Sequence, residues 1–178
     1  MLFGIAGIAG LGPLGDAVLK ITLPLRHEDI IRQQAEDKDV DAALIAAIIY
    51  EESKFRDQTS HAGARGLMQL TPGTADYIAA KTGGTEFEQG DLASPQINIA
   101  YGAWYLHYLK EKYEGQDVAT VAAYNAGEGK VDEWIAAAGG LSGFAEEDIR
   151  FPETREYVDG VLDHRADYRE HYSDELGY

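Results

Sequence analysis

Val40-Asp41-Ala42-Ala43-Leu44-Ile45-Ala46-Ala47-Ile48-Ile49-Tyr50-Glu51-Glu52-Ser53 decides how this chain is read. Leu44, Ile45, Ala47, Ile48 and Ile49 surround most of a helical circumference, and a helix that is apolar nearly all round is buried. Asp39 or Asp41 can cap its start, and the run ends near Ser53. Two glutamates therefore sit at the end of a core helix. Burial desolvates the charged form of a carboxyl group and raises its pKa. A carboxylic acid that keeps its proton near neutral pH can protonate a leaving group. Periodicity does not choose between the two: positions 44, 48 and 55 share a face with Glu51, while 41, 45 and 48 flank Glu52. For a generic pair at a helix end, solvated glutamates are the ordinary outcome, because Glu is rarely buried unpaired.

Outward from this helix the chain reads as further helices. His27 to Lys38 is charged and amphipathic, with Ile30 and Ile31 as its apolar face. Thr71-Pro72 supplies an N-cap and a first helical residue for a helix to about Lys81. Ser94-Pro95 repeats the signal for a helix to about Tyr113. Asp117 is expected to cap a short helix that stops at Gly127. Another helix is expected over 130–138, and Pro152 opens a last one to about His171. Glycines at 83–84, 127–129 and 139–143 are expected to fall between elements. No alternating β-branched run and no sustained heptad appears, so the expected class is all-α, a compact helical domain.

The chain has 178 residues, enough for one domain with one sizeable core. Its net charge of −16, from 15 basic and 31 acidic residues, is opposite to a nucleic-acid footprint and to attraction to an anionic membrane. With no cysteine, disulfides, Cys-ligated zinc and a Cys nucleophile are excluded. The five histidines show no metal-binding spacing, so neither a metal nor another cofactor is expected. Residues 1–15, MLFGIAGIAGLGPLG, carry no charge, yet fall short of the roughly 18 apolar residues of a membrane span and lack a basic leader. Three readings stay open: a worn signal anchor, the end of one after a misassigned start, or a segment that packs on the domain. A vestigial export or anchor segment over 1–24 is preferred, with the folded domain over 25–178.

Two further segments carry chemistry. His61-Ala62-Gly63-Ala64-Arg65-Gly66-Leu67-Met68-Gln69 reads as a loop whose glycines allow close backbone approach. A lone Met68 is by default core, whereas Gln69 offers a donor and an acceptor suited to sugar hydroxyls or an N-acetyl group. Ala123-Tyr124-Asn125-Ala126-Gly127 ends a helix with an aromatic and an amide, and its plain reading is a C-cap with a core tyrosine. Singly, each is weak.

Together and in order, these segments resemble the lysozyme-like domain of soluble lytic transglycosylases, the SLT domain of family 1, from about Leu25 to Tyr172. The stretches that carry the resemblance are Ala46-Ala47-Ile48-Ile49-Tyr50-Glu51-Glu52-Ser53 and Gly63-Ala64-Arg65-Gly66-Leu67-Met68-Gln69-Leu70-Thr71-Pro72-Gly73-Thr74-Ala75. Asp91-Leu92 with Pro95-Gln96-Ile97-Asn98-Ile99-Ala100-Tyr101-Gly102, then Ala122-Ala123-Tyr124-Asn125-Ala126-Gly127, then Phe151-Pro152-Glu153-Thr154-Arg155-Glu156-Tyr157-Val158 complete them. The resemblance implies cleavage of the β-1,4 bond between N-acetylmuramic acid and N-acetylglucosamine in peptidoglycan, without added water, giving a 1,6-anhydromuramoyl product. It implies that the glutamate before the serine, Glu52, is catalytic and that Glu51 is a neighbour. It also implies a cleft lined by Ser53, Met68, Gln69, Tyr124, Asn125, Glu153 and Tyr157.

Most glycosidases use two carboxyl groups. No second carboxylate here falls in a motif that would place it as a nucleophile, and Glu153 and Asp91 read equally well as helix-start residues favoured by the dipole. Glu52 is therefore expected to act as acid and then as base, with substrate assistance, in a Tyr-lined cleft that excludes water. The alternatives are a hydrolytic muramidase of goose-lysozyme type and a non-catalytic glycan-binding module. The expected partner is peptidoglycan, not nucleic acid, with membrane association only through residues 1–24; the protein is expected to be a monomer of the cell envelope or extracellular space. No wall-binding repeat and no EF-hand loop occurs in this sequence, so targeting is expected from the cleft, the N-terminus or a partner.

Overall fold

The computed structural model describes residues 12–178. Among them are nine α-helices: α1 (Gly12–Thr22), α2 (Glu28–Lys38), α3 (Ala42–Ser53), α4 (Pro72–Thr82), α5 (Pro95–Lys112), α6 (Asp117–Ala126), α7 (Glu128–Ala137), α8 (Pro152–His171) and α9 (Ser173–Leu176). Extended pairing among the described residues is limited to two isolated bridges, Thr59 with Arg65 and Arg65 with Leu70. The all-α class is as expected.

Helix starts follow local chemistry. The Asp41 side chain accepts a hydrogen bond from the Ala43 backbone N–H at 3.1 Å and caps α3. Thr71 accepts from the Thr74 backbone N–H at 3.2 Å, and Pro72 supplies the fixed φ of the first turn of α4. Two expectations need correction. Gln116, not Asp117, caps α6, its amide oxygen accepting from the Ala119 N–H at 2.6 Å. Asp117 instead lies in the first turn, where the dipole favours it, and bonds Arg165 at 2.6 Å. Gly129 lies inside α7 rather than between elements, because Gly127 alone, at φ 86, turns the chain from α6 into α7.

Every residue of α3 from Ala42 to Ile49 is buried. The helix packs most extensively on α8 and also on α2 and α5, so the predicted core helix is the centre of the molecule. A second, smaller cluster of Leu70, Ala75, Ile78 and Leu92 lies under α4, with Phe87, Tyr101 and Trp104 against it. Tyr105 and Tyr124 pack on both clusters and mark their junction.

Residues 1–11 of the apolar N-terminal segment lie outside the described residues. From its remainder, Leu23 is fully buried and Leu19 packs on the main core. The Thr22, Leu23 and Pro24 carbonyls accept hydrogen bonds from the hydroxyls of Tyr50, Tyr172 and Tyr168 at 2.8, 2.7 and 2.6 Å. Among the described residues, no helix is long and apolar enough to cross a membrane.

Candidate active site

The last turn of α3 brings both glutamates against α8, in different company. The Tyr157 hydroxyl donates to Glu52 Oε1 at 2.7 Å, the one side-chain hydrogen bond to that carboxyl among the described residues. Burial pushes the Glu52 carboxyl up to about 7; the Tyr157 bond works against this rise and the charge of Glu51 adds to it. Glu51 moves the other way. Burial would raise it, but His164 and Lys54 outweigh that and hold it below the usual range, with Glu51 to His164 Nδ1 at 2.7 Å and to Lys54 Nζ at 3.4 Å. Adjacent carboxyls whose environments separate them in this way suit different tasks: Glu52 can carry a proton near neutral pH, and Glu51 stays ionised.

The loop after α3 is built around a buried amide. Asn98 on α5 is fully buried, and its Oδ1 accepts from the Met68 backbone N–H at 2.8 Å. Its Nδ2 donates to the carbonyls of Arg65 and Leu92 at 3.0 and 3.1 Å. Gly66, at φ +76, must be glycine, because a Cβ there would lie 2.1 Å from Asn98 Nδ2 and 2.5 Å from the Leu92 oxygen. Sequence reasoning gave Asn98 no role; its place in the Pro95–Gly102 stretch of an apolar helix was the available signal.

The predicted cleft residues divide. Tyr157 meets Glu52 directly. Tyr124 donates its hydroxyl to the Met68 carbonyl at 2.9 Å, and burial followed by the Glu52 charge raises its pKa well above the ordinary value. Tyr157 is raised for the same two reasons in the same order, so both phenols remain donors. Gln69, at φ 45, spends its amide nitrogen on the carbonyls of Gly66 and Gln58 at 2.7 and 3.0 Å, leaving its oxygen to accept. Asn125 is exposed, with Oδ1 accepting from Thr154 Oγ1 at 2.7 Å, and its amide N–H groups make no hydrogen bond among the described residues.

Three residues sit differently. Met68 is completely buried in the main core, and it fills the space over Gly102, where a Cβ would lie 2.2 Å from its sulfur. Ser53 is 3% exposed, and its hydroxyl donates back to the Ile49 carbonyl at 3.1 Å. Glu153 is exposed in the first turn of α8, with no side-chain hydrogen bond among the described residues, as expected of a helix-start carboxylate. Sequence reasoning assigned no site role to Thr154, which orients Asn125, or to His164, which holds Glu51; only the helix-to-helix contact reveals them. Among the described residues, no three His, Asp or Glu side chains gather to hold a metal ion.

The family model described as "Transglycosylase SLT domain" matches residues 29–145. The chain is 36% identical over 155 residues to the soluble lytic murein transglycosylase of Salmonella typhimurium, covering 85% of this chain and 24% of that protein. Against the 70 kDa soluble lytic transglycosylase of Escherichia coli, the TM-score is 0.81 at 32% identity, over 91% of this chain and 27% of the other. An inactive Glu-to-Gln mutant of the lytic transglycosylase Slt from Pseudomonas aeruginosa gives a TM-score of 0.78 at 34% identity, covering 87% of this chain and 26% of that one. The chain thus spans about a quarter of the length of these relatives. With a family model across most of the domain and a lysozyme-like helical fold held in common with these enzymes, the chain belongs to the lytic transglycosylase family that carries the SLT domain.

Proposed function

We propose that this chain is a peptidoglycan lytic transglycosylase of the cell envelope in which Glu52 is the sole acid and base. One observation carries the reading: a carboxyl raised to about 7 at the end of a buried helix, bonded to a phenol and not to a second carboxylate. Glu51, the adjacent carboxylate, is engaged by His164 and Lys54 and lies on the same helix turn, not across a sugar ring as a nucleophile would. The relatives' names supply the substrate class, and the inactive Glu-to-Gln mutant of the Pseudomonas aeruginosa enzyme is in keeping with a required glutamate in this family.

The reaction proceeds in two stages. Protonated Glu52 gives its proton to the glycosidic oxygen as the bond from muramoyl C1 to that oxygen breaks. The muramoyl N-acetyl oxygen bonds to C1 and carries the developing charge as an oxazolinium. Glu52, now a carboxylate, removes the proton of the sugar's own 6-hydroxyl. That oxygen attacks C1 and displaces the N-acetyl oxygen, leaving the 1,6-anhydro ring and a reprotonated Glu52. A group titrating near 7 serves both stages. The Gln69 oxygen and Asn125 amide are assigned to sugar amides and hydroxyls, and Tyr124 to positioning the N-acetyl group or the leaving oxygen.

Digestion of purified sacculi with wild type and Glu52→Gln, read by mass spectrometry, tests the proposal. Anhydro-muropeptides should appear with wild type and vanish with the variant. Products about 18 Da heavier would mean hydrolysis by a goose-type muramidase. Binding without turnover by wild type would mean a glycan-binding module.

A further inference from the structure

The carboxylate of Glu51 occupies a seat built on α8. A Cβ at Gly160 would lie 2.9 Å from Glu51 Oε1 and 3.2 Å from its Cδ, so the absent side chain makes the space that Glu51 fills. His164, one turn on, closes the seat. Its Nδ1 is 2.7 Å from Glu51 Oε1 and 2.6 Å from the Gly160 carbonyl. Both neighbours are acceptors, so Nδ1 carries a proton and donates. The ring is fixed in turn by Tyr50, whose centroid is 4.3 Å away, and Lys54 Nζ lies 3.7 Å from the same Tyr50 centroid. Tyr157 and His164 are two turns apart on α8, so one face of that helix meets Glu52 with a phenol and Glu51 with an imidazole.

We propose that His164 is a positioning residue for the reaction, acting through Glu51: it holds that carboxylate in the Gly160 seat and limits the negative charge that Glu52 faces. The proposal rests on Glu52 as the proton carrier. Glu51 is the neighbouring charge that disfavours ionisation of Glu52. Its charge is partly answered by His164 and Lys54. Other groups facing the pair are Tyr50 from α3, Tyr124 from α6, and Tyr157 and Tyr168 from α8, with Asp167 beside His164. Among the described residues no charged group of α2 or α5, the other helices against α3, is bonded to it. With His164 gone, Glu51 keeps its charge at neutral pH but loses its nearest donor and its fixed direction, and Glu52 should hold its proton to higher pH. With Glu51 gone, Glu52 should release its proton at lower pH.

The test is a carbon-13 NMR titration of the Glu52 carboxyl in protein labelled at glutamate, assigned by its disappearance in Glu52→Gln. His164→Phe, which keeps a ring against Tyr50, is expected to raise the Glu52 midpoint by roughly 1 unit. Glu51→Gln is expected to lower it by a similar amount, and adding His164→Phe to Glu51→Gln should move it no further. His164→Lys, which supplies a donor to Glu51 again, should return the midpoint towards wild type. A purely structural histidine would lower the melting temperature and leave the midpoint alone, and that result overturns the proposal. So does a His164→Phe shift that persists without Glu51. Titration needs no turnover, so the expected shifts in an enzyme that releases no anhydro product would sink the proposed function and leave this inference standing.

Discussion

Replacing Glu52 by glutamine should stabilise the protein while abolishing its chemistry. In the folded chain Glu52 has its carboxyl raised from 4.5 to about 7, so the native state binds its proton more tightly than the unfolded state. Below pH 4.5 the group is protonated in both states and costs nothing. As pH rises from 4.5 to about 7 the unfolded state ionises first, and stability is lost across that window. At 1.36 kcal/mol per unit, the rise sets an upper limit of about 3.4 kcal/mol, and partial solvent access reduces it to about 2–3 kcal/mol. Glutamine keeps an acceptor for Tyr157 and does not titrate. Glu52→Gln should therefore match wild type at pH 4 and exceed it at pH 8 by about 2–3 kcal/mol, or roughly 5–10 °C in melting temperature for a domain of this size. Urea unfolding at intervals from pH 4 to 8 measures the difference directly. Parallel stability curves, or a glutamine variant weaker than wild type at pH 8, would refute the claim that burial governs this carboxyl.

Three further outcomes follow from the same contacts. Tyr157→Phe removes the hydroxyl that stabilises ionised Glu52, so the basic limb of the pH–rate profile should move up by about 1 unit, given about 1.5–3 kcal/mol for a bond to a charged group; an unmoved limb would mean that the bond does not form in solution. Asn98→Ala leaves the Met68 N–H and the Arg65 and Leu92 carbonyls without their partner, and should cost about 2–4 kcal/mol in denaturant unfolding, with a loss of activity larger than that of an equally destabilising core variant. Asp41→Ala removes the α3 cap and the partner of Arg165 and Arg169, and should cost about 2–4 kcal/mol at pH 7. Burial would raise Asp41, but Tyr178 and the two arginines hold it below 3.8, so this contribution should shrink only as pH falls below that value.

The helices were legible because their determinants are local. Thr71-Pro72, Ser94-Pro95 and the apolar run from Val40 each specify an element within a few residues. The acid was half legible: burial of α3 pointed to a raised carboxyl, but periodicity left Glu51 and Glu52 tied. The contacts that separate them, Tyr157 to Glu52 and His164 to Glu51, span more than 100 residues of chain and follow from how α8 lies on α3, which no spacing encodes. Met68 shows the opposite limit. Its motif suggested a cleft wall, yet the missing side chain of Gly102 draws it into the core. Gln116 outcompeted Asp117 as a cap because Arg165, distant in sequence, claims the aspartate.

The two ends of α3 are both fastened by the last part of the chain. Tyr157 and His164 hold its final turn, while Arg165, Arg169 and Tyr178 converge on Asp41 at its start. During synthesis the ribosome releases α3 long before any of these residues exist, and contacts of such long range are slow to close. Until α8 docks, Glu52 lacks its Tyr157 partner. A nascent or clipped chain that stops short of Pro152 would therefore carry the loop and α6 motifs yet lack Tyr157 and His164, the partners that set its two glutamates apart.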